Sequence, residues 1–450
     1  MEVSLLQILE AREQRVIRQQ KLLQHKKTLI CFTMNIAGPV KNTPLITECF
    51  QIGHQQLTGL VQVVHHELHI APTGCEGYYV VESDPLQVKK LTAGLEDHFP
   101  AGRLFDMDVL RPDGQKVSRE QLGLPPRKCL LCEQDAVICG RSRSHTVEQL
   151  QNKTQKLLQD AVWDRKSEQL GALAVQSLLY EVCTTPKPGL VDRNNSGSHR
   201  DMDIFSFMAS AAALQPYFVR CARIGFETST LSPAETFARL RLPGCLAEQD
   251  MYHATGGVNT HKGAIFTLGL LCGAAGRLDT TIPASILDEV RLMTLGLTAQ
   301  DFSGVTPENA ATNGQMLFAR YGITGVRGQA EAGFPAVLRG LEIFRQGLAQ
   351  GLSLNDAGCA TLLHLLVATE DTNLISRSTI ETGRKITEQI AALLQTEPYP
   401  SQATLLQLDE TFAAQNLSPG GSADLLAAVY FLHFTDTERV SEQWYAGFQY

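Results

Sequence analysis

The spacing of apolar positions changes period about a third of the way along the chain. In the first part, helical spacing near residues 2–24 and 44–60 alternates with short apolar or β-branched runs at Thr28–Ile36, Tyr78–Glu82 and Arg103–Leu110. Those runs are bounded by Gly, Pro and Asp, which predicts strands and an α+β domain. Val63-Val64 and Leu68-His69-Ile70 fit a further, partly buried strand. From about residue 166 onward the apolar spacing is helical, as in Leu170, Leu173, Ala174 and Leu178, then Ile204–Leu214, Ala264–Ala275 and Leu425–Leu432. The pattern predicts a multidomain chain with an α+β domain over 1–165 and an all-α domain over 166–450. The join from His145 to Lys166 is polar and free of Gly and Pro, so it is expected to be a helical linker.

Polar or glycine-rich loops separate the helical runs of the second part. Glu181-Val-Cys-Thr-Thr-Pro-Lys-Pro-Gly-Leu-Val-Asp192 is followed by His199, Asp201 and Asp203; Gly256–Gly263 includes Asn259, His261 and Lys262. Ala319–Gly322 leads into Arg327-Gly328 and Gly333-Phe334-Pro335; Asp371-Thr372-Asn373 precedes Arg377; Ser418–Asp424 includes Gly420 and Gly421. A single loop of this kind is an ordinary turn with a capping aspartate. Five of them suggest a bundle whose loops meet over one phosphorylated ligand, because glycines admit close backbone approach, cations neutralise phosphate and paired carboxylates hold Mg²⁺. The stretch around Lys262 is not a P-loop, since His261 stands where glycine should precede the lysine and Gly263 where Ser or Thr should follow.

In the first part, strand alternation puts Asp106 and Asp108 on one face and Phe105, Met107 and Val109 on the other. Two carboxylates on one face suit Mg²⁺ bound to a polyphosphate; a solvated strand face is the bland alternative. His65, His66 and His69 read as satisfied structural histidines. Cys129, Cys132, Cys139 and His145 have the residue types of a zinc site, but the short second interval leaves ordinary reduced thiols as the competing reading.

Eleven cysteines without an apolar signal sequence point to a reducing cytoplasm, and no run is long and apolar enough to span a membrane. The net charge of −8 argues against general nucleic-acid binding. Positive charge crowds the first helix at Arg12, Arg15, Arg18, Lys21, Lys26 and Lys27. This is either a solvated face or a dock for an acidic carrier protein.

Residues from about 168 to 450 resemble the triphosphoribosyl-dephospho-coenzyme A synthase family through Thr185-Pro-Lys-Pro-Gly-Leu-Val-Asp192, His199-Arg-Asp-Met-Asp203, Gly257-Val-Asn-Thr-His-Lys-Gly263 and Ser418-Pro-Gly-Gly-Ser-Ala-Asp424. Residues from about 10 to 160 resemble the phosphoribosyl-dephospho-coenzyme A transferase of citrate lyase maturation through Phe32–Lys41, Gly102–Asp108 and Pro125–Glu133. The first resemblance implies that the 2′-hydroxyl of 3′-dephospho-coenzyme A displaces adenine from ATP. The second implies transfer of the resulting group to a serine of the apo acyl-carrier subunit, with loss of pyrophosphate.

On that basis Asp192, Asp201, Asp203 and Asp371 are candidate catalytic carboxylates, with Asp201 and Asp203 on Mg²⁺. Lys187, His199, Asn259, His261, Lys262, Asn373, Arg377, Gly420, Gly421 and Asp424 are candidate substrate contacts. In the first domain Asp106 and Asp108 would hold Mg²⁺ on pyrophosphate, Arg103 would offset charge, and Glu67 or Glu76 would complete a two-metal site. The Asp-hydrophobe-Asp pattern is also similar to polymerase-β-like nucleotidyltransferases, although their Gly-Ser pair is missing because Leu95 follows Gly94. The competing functions are the same steps on a malonate decarboxylase carrier, a helical nucleotide hydrolase, and a carrier-binding scaffold.

Overall fold

The computed structural model describes residues 2–447, with side chains as far as Thr437. The chain divides into two compact units, Met1–Arg165 and Lys166–Tyr450. One helix, Val147–Cys183, runs through the boundary.

In the first unit, a helix at Leu5–Leu23 is followed by β1 (Thr28–Met34), a helix at Pro44–Leu60, β2 (Val63–Ala71) and β3 (Gly74–Val81). A helix at Pro85–His98 then leads to β4 (Phe105–Leu110). The four strands pair antiparallel in the spatial order β2-β3-β1-β4. Ile30 and Phe32, Tyr79 and Val81, and Phe105, Met107 and Val109 point to one face. There they pack on Ile46, Phe50, Leu57 and Val88 of the two following helices. The opposite face places Leu29, Cys31, Tyr78, Val80 and Leu110 against Leu22 and Leu23 of the first helix.

Two features of this unit depart from the sequence pattern. The expected strand from Arg103 starts only at Phe105, because Gly102–Leu104 forms a 3₁₀ turn. The helix Pro85–His98 is hard to see in apolar spacing because its inward face includes two buried charges, Lys89 and Glu96. They satisfy the outer edge of β4: Lys89 Nζ donates to the Met107 carbonyl, and the Met107 amide donates to Glu96 Oε1, both at 2.8 Å. An edge strand that would otherwise offer free ladder groups is thereby closed by side chains.

The second unit is built around the helix Lys262–Leu278, buried from Ala264 to Gly276 except for Phe266. Helices Gln215–Glu227, Pro233–Ala254, Pro283–Met293 and Gly420–Gly447 pack on it. Its small residues are the reason they can. A Cβ on Gly276 would lie 2.2 Å from the Ala222 carbonyl oxygen, and one on Gly225 would lie 2.2 Å from that of Gly273. Backbone thus meets backbone between the two helices. A smaller cluster joins Leu354–Ala368 to Ile380–Thr396 and Gln402–Ala414 through Leu363, Leu366, Ile390 and Phe412. Among the described residues no single helix is long and apolar enough to cross a membrane.

One substitution should therefore have opposite signs in two places. Gly276→Ala drives a methyl into backbone and should destabilise the second unit by about 1–3 kcal/mol or more. Gly94→Ala, in helix Pro85–His98 with nothing within 4 Å of the added carbon, should stabilise by about 0.5–1 kcal/mol. Thermal denaturation of both variants measures this; a Gly276→Ala protein as stable as the parent would refute the close-packing account.

Candidate functional site

The loop between Thr184 and Asp203 is fixed by buried carboxylates. Asp192 Oδ2 accepts from Thr185 Oγ1 at 2.7 Å and from the Lys187 amide at 2.9 Å. Its Oδ1 accepts from the Asn194 and Asn195 amides at 2.7 and 3.0 Å. Asp409 holds the Gly189 amide at 2.9 Å and Asn195 Nδ2 at 2.7 Å. Gly189 has φ +70, and a Cβ there would lie 2.1 Å from the Leu417 carbonyl oxygen, so glycine lets this loop lie against the next. Asp192 therefore staples this loop, and it is not among the residues that line the cavity described next.

That cavity, about 750 Å³, lies within the second unit. Its walls include Lys187, His199, Asp201, Asn259, His261, Lys262, Asp371, Asn373, Arg377, Gly420, Gly421 and Asp424. The five loops picked out by their composition do meet. The helices beginning at Lys262, Thr372 and Gly420 all start on the cavity wall. The positive ends of three helix dipoles therefore face one space, an arrangement suited to an anion, although the Asn373, Leu374 and Ser422 amides are taken by Asp371 and the Lys262 amide by Asn259 Oδ1.

Beneath these termini the charge is negative. Glu181, the first residue of the first of these loops but not among the candidate site residues, is buried beside the buried Lys187 and forms an ion pair with it. Burial pushes the Glu181 carboxyl up and Lys187 offsets part of that rise. Asp371 caps the helix Thr372–Arg377 through the Asn373 and Leu374 amides and accepts from the Ser422 amide and hydroxyl at 2.7 and 2.8 Å. Four donors occupy it, so it ties two loops together. Asp424 accepts from the Ala264 amide and is held well above the usual carboxylate range by desolvation and then by Glu181 and Asp371. It fits there only because residue 263 is glycine: a Cβ would lie 1.9 Å from Asp424 Oδ2.

Two histidines on the cavity wall are kept neutral chiefly by burial. His199, lowered to about 4 by burial and then by Arg377, accepts from Arg377 Nη2 at Nδ1 (3.0 Å) and donates from Nε2 to Ser418 Oγ (2.9 Å). It joins three loops. His261, lowered to about 3 by burial and then by Lys187, bonds Ser210 Oγ through Nδ1 at 2.7 Å. Its buried Nε2 has no protein partner among the described residues, and the residue lines the cavity. Lys262 is exposed and reaches Glu248 at 2.7 Å.

Asp203 is not on the cavity wall. Its Oδ1 accepts from the Ser206 amide and hydroxyl as the N-cap of helix Ile204–Ala213, which accounts for its residue type without a metal. Asp201 does line the cavity.

In the first unit Asp106 and Asp108 share the face opposite buried Phe105, Met107 and Val109. Cations surround them. Lys116 Nζ lies 2.5 Å from Asp108, and Arg127 Nη1 lies 3.9 Å from Asp106. Burial and then the charge of Arg127 lower the Arg103 pKa, while Asp97 raises it, so the Arg103 guanidinium lies near Arg127. The pairings remove the expected third carboxylate. Glu76 is buried under Arg15 (2.8 Å), Arg18 (3.2 Å) and Tyr78 (2.5 Å), and Glu67 faces His65, His69 and Lys21. The basic first helix is correspondingly turned inward at Arg15 and Arg18, and Lys27 pairs with Glu82 at 2.5 Å. As a dock for an acidic carrier it has lost much of its charge. The sulfurs of Cys132 and Cys139 are 3.9 Å apart, and His145 Nε2 is 3.3 Å from Cys132 Sγ.

A family model described as ATP:dephospho-CoA triphosphoribosyl transferase (CitG) matches residues 167–443, and one described as apo-citrate lyase phosphoribosyl-dephospho-CoA transferase (CitX) matches residues 3–161. The chain is 36% identical to Protein CitXG of Haemophilus influenzae over 455 residues, covering 96% of both chains. It is 34% identical to Protein CitXG of Leuconostoc mesenteroides subsp. cremoris, covering 96% of this chain and 97% of the other. A 2-(5''-triphosphoribosyl)-3'-dephosphocoenzyme-A synthase of Pectobacterium atrosepticum is 42% identical over 267 residues, 58% of this chain and 87% of its own. With two family models end to end and relatives matching along nearly the whole length, the chain belongs to the CitXG family and is a bifunctional transferase of citrate lyase maturation.

Proposed function

We propose that the cavity of the second unit binds ATP with its triphosphate against the helix N-termini at Lys262 and Gly420, flanked by Lys262 and Arg377. The convergence of those termini over a carboxylate-rich floor is the observation that carries the reading. The 2′-hydroxyl of 3′-dephospho-coenzyme A attacks the anomeric carbon of the ATP ribose. The new C–O bond forms as the C–N bond to adenine breaks, and the triphosphate stays on the transferred sugar. Glu181 accepts the hydroxyl proton: its carboxyl is raised by burial, which suits a base, and Lys187 holds it in place. His261 uses its unpartnered Nε2 to orient substrate.

The donor set also fits Mg²⁺. Asp201 and Asp424 face one cavity, and the ionised form of Asp424 is opposed by Glu181 and Asp371 unless a cation is near. Bound Mg²⁺ would neutralise triphosphate oxygens.

In the first unit, Asp106 and Asp108 with Arg103, Lys116 and Arg127 form a mixed-charge site for the pyrophosphate that leaves when the phosphoribosyl-dephospho-coenzyme A group passes to a serine of the apo acyl carrier. The carboxylates fit Mg²⁺ there as well, and the cations hold the leaving group. A pair of aspartates on an edge strand supports a nucleotidyltransferase-like reading of this unit. The match of the first unit to the citrate lyase transferase favours that carrier over the malonate decarboxylase one.

Glu181→Gln and Asp424→Asn should each slow adenine release about 10²-fold or more while transfer of supplied intermediate to carrier is unchanged. Lys262→Ala should chiefly raise the KM for ATP. Asp203→Ala should cost about 0.5–2 kcal/mol of stability through the lost cap and keep adenine release. Steady-state adenine assays separate these; parental rates in both Glu181→Gln and Asp424→Asn would remove the cavity floor from the chemistry.

For the first unit, Asp106→Asn or Asp108→Asn should reduce carrier modification about 10²-fold with preformed intermediate supplied, and leave adenine release untouched. Mass spectrometry of the carrier reads the outcome. Full modification by both variants would exclude these aspartates.

A further inference from the structure

Between Val117 and Thr154 the chain buries one residue, Cys139. Val137 and Ile138 are 58% and 61% exposed and the half-buried Leu130 packs on the core of the unit, so hydrophobic burial does little to hold this segment in place. Long segments without a core of their own need another constraint. Four side chains supply the means. One ligand atom from each of Cys129, Cys132, Cys139 and His145 lies within 4.8 Å of every other.

The separations match a tetrahedral metal. With Zn–S of about 2.3 Å and Zn–N of about 2.0–2.1 Å, tetrahedral angles require about 3.8 Å between sulfurs and about 3.6 Å between sulfur and nitrogen. The structure has 3.9 Å for Cys132–Cys139 and 3.3 Å for His145–Cys132. The backbone forms a knuckle: the Cys129 amide donates to the Gln134 carbonyl at 2.7 Å, and the Ala136 amide donates to the Arg127 carbonyl at 2.8 Å. The Leu131 amide lies 3.5 Å from Cys129 Sγ, in the position of a donor to a metal-bound sulfur. Cys139 is supplied by the helix Ala136–Ser142.

The knuckle has a consequence at the transfer site. Arg127, two residues before Cys129, donates from Nη2 to the Arg103 carbonyl at 3.1 Å and lies 3.9 Å from Asp106. We propose that Cys129, Cys132, Cys139 and His145 bind one structural Zn²⁺, which fixes the segment and holds Arg127 against the Asp106–Asp108 site. Arg127 is a positioning and charge-balancing residue whose location depends on the metal.

Zinc is measured first, by elemental analysis of the full-length protein purified in reductant from zinc-supplemented cells. About one Zn²⁺ per chain is expected, falling below roughly a fifth in Cys132→Ser and unchanged in Cys245→Ser, an exposed cysteine outside the cluster. Co²⁺ added to the zinc-stripped parent should give thiolate charge-transfer absorption and the visible bands of tetrahedral coordination, which keeps the test independent of whether Cys132→Ser folds. Stripping should expose residues 118–146 to limited proteolysis, spare adenine release, and slow carrier modification about 10-fold or more until Zn²⁺ is restored. The transfer arm rests on the proposed role of Asp106 and Asp108; metal content, cobalt spectrum and proteolysis do not. A metal-free parent with no tetrahedral cobalt spectrum would overturn the site, and unchanged proteolysis after stripping would overturn its structural role.

Discussion

The helix Lys262–Leu278 is the constraint on which the second unit depends, because it is at once the centre of the core and the edge of the cavity. Its body must be small enough for neighbouring backbones to touch it, as at Gly276 and Gly273. Its first turn must be open enough for Asp424 to reach the Ala264 amide past Gly263. Close packing at one end therefore fixes the position of a carboxylate at the other. A core this dense transmits displacement, so the cavity geometry is tied to the glycines behind it.

Charge balance then determines what the cavity can hold. Glu181, Asp371 and Asp424 lie together with one buried cation, Lys187, which is already paired with Glu181. Asp371 is stabilised by four hydrogen bonds, whereas Asp424 has its charge opposed by both neighbours. The cavity sets helix N-termini, which favour an anion, above carboxylates, which favour a cation. The metal–polyphosphate ligand proposed above answers both demands at once.

The sheet unit handles charge differently. One face is apolar and covered by helices, while the other mixes aspartates, histidines and Glu76 beneath a basic helix. At β2 and β3 these charges neutralise one another internally. Only at β4, where Lys89 and Glu96 already satisfy the strand edge, do carboxylates and guanidinium groups remain accessible together. The proposed transfer site therefore lies on the β4 edge of the sheet, whereas at the β2 edge Glu67 is paired with Lys21, His65 and His69.

The sequence by itself determined the change of period from mixed to helical, the alternation that pairs Asp106 with Asp108, and the polar and glycine-rich loops that suggested a common phosphorylated ligand. These are local properties, fixed by residue spacing and backbone preference. Tertiary structure decided which carboxylates are free. Asp192, Asp203, Asp371 and Asp424 look alike as isolated aspartates, yet one staples a loop, one caps a helix, one ties two loops and one is left facing the cavity. The same holds for Glu181 and for the helix Pro85–His98, whose buried charges have partners that sequence spacing does not indicate. A carboxylate's role depends on its donors and its burial: Asp192 and Asp203 find their donors within seven residues, whereas Asp371 takes two of its donors from Ser422, 51 residues away.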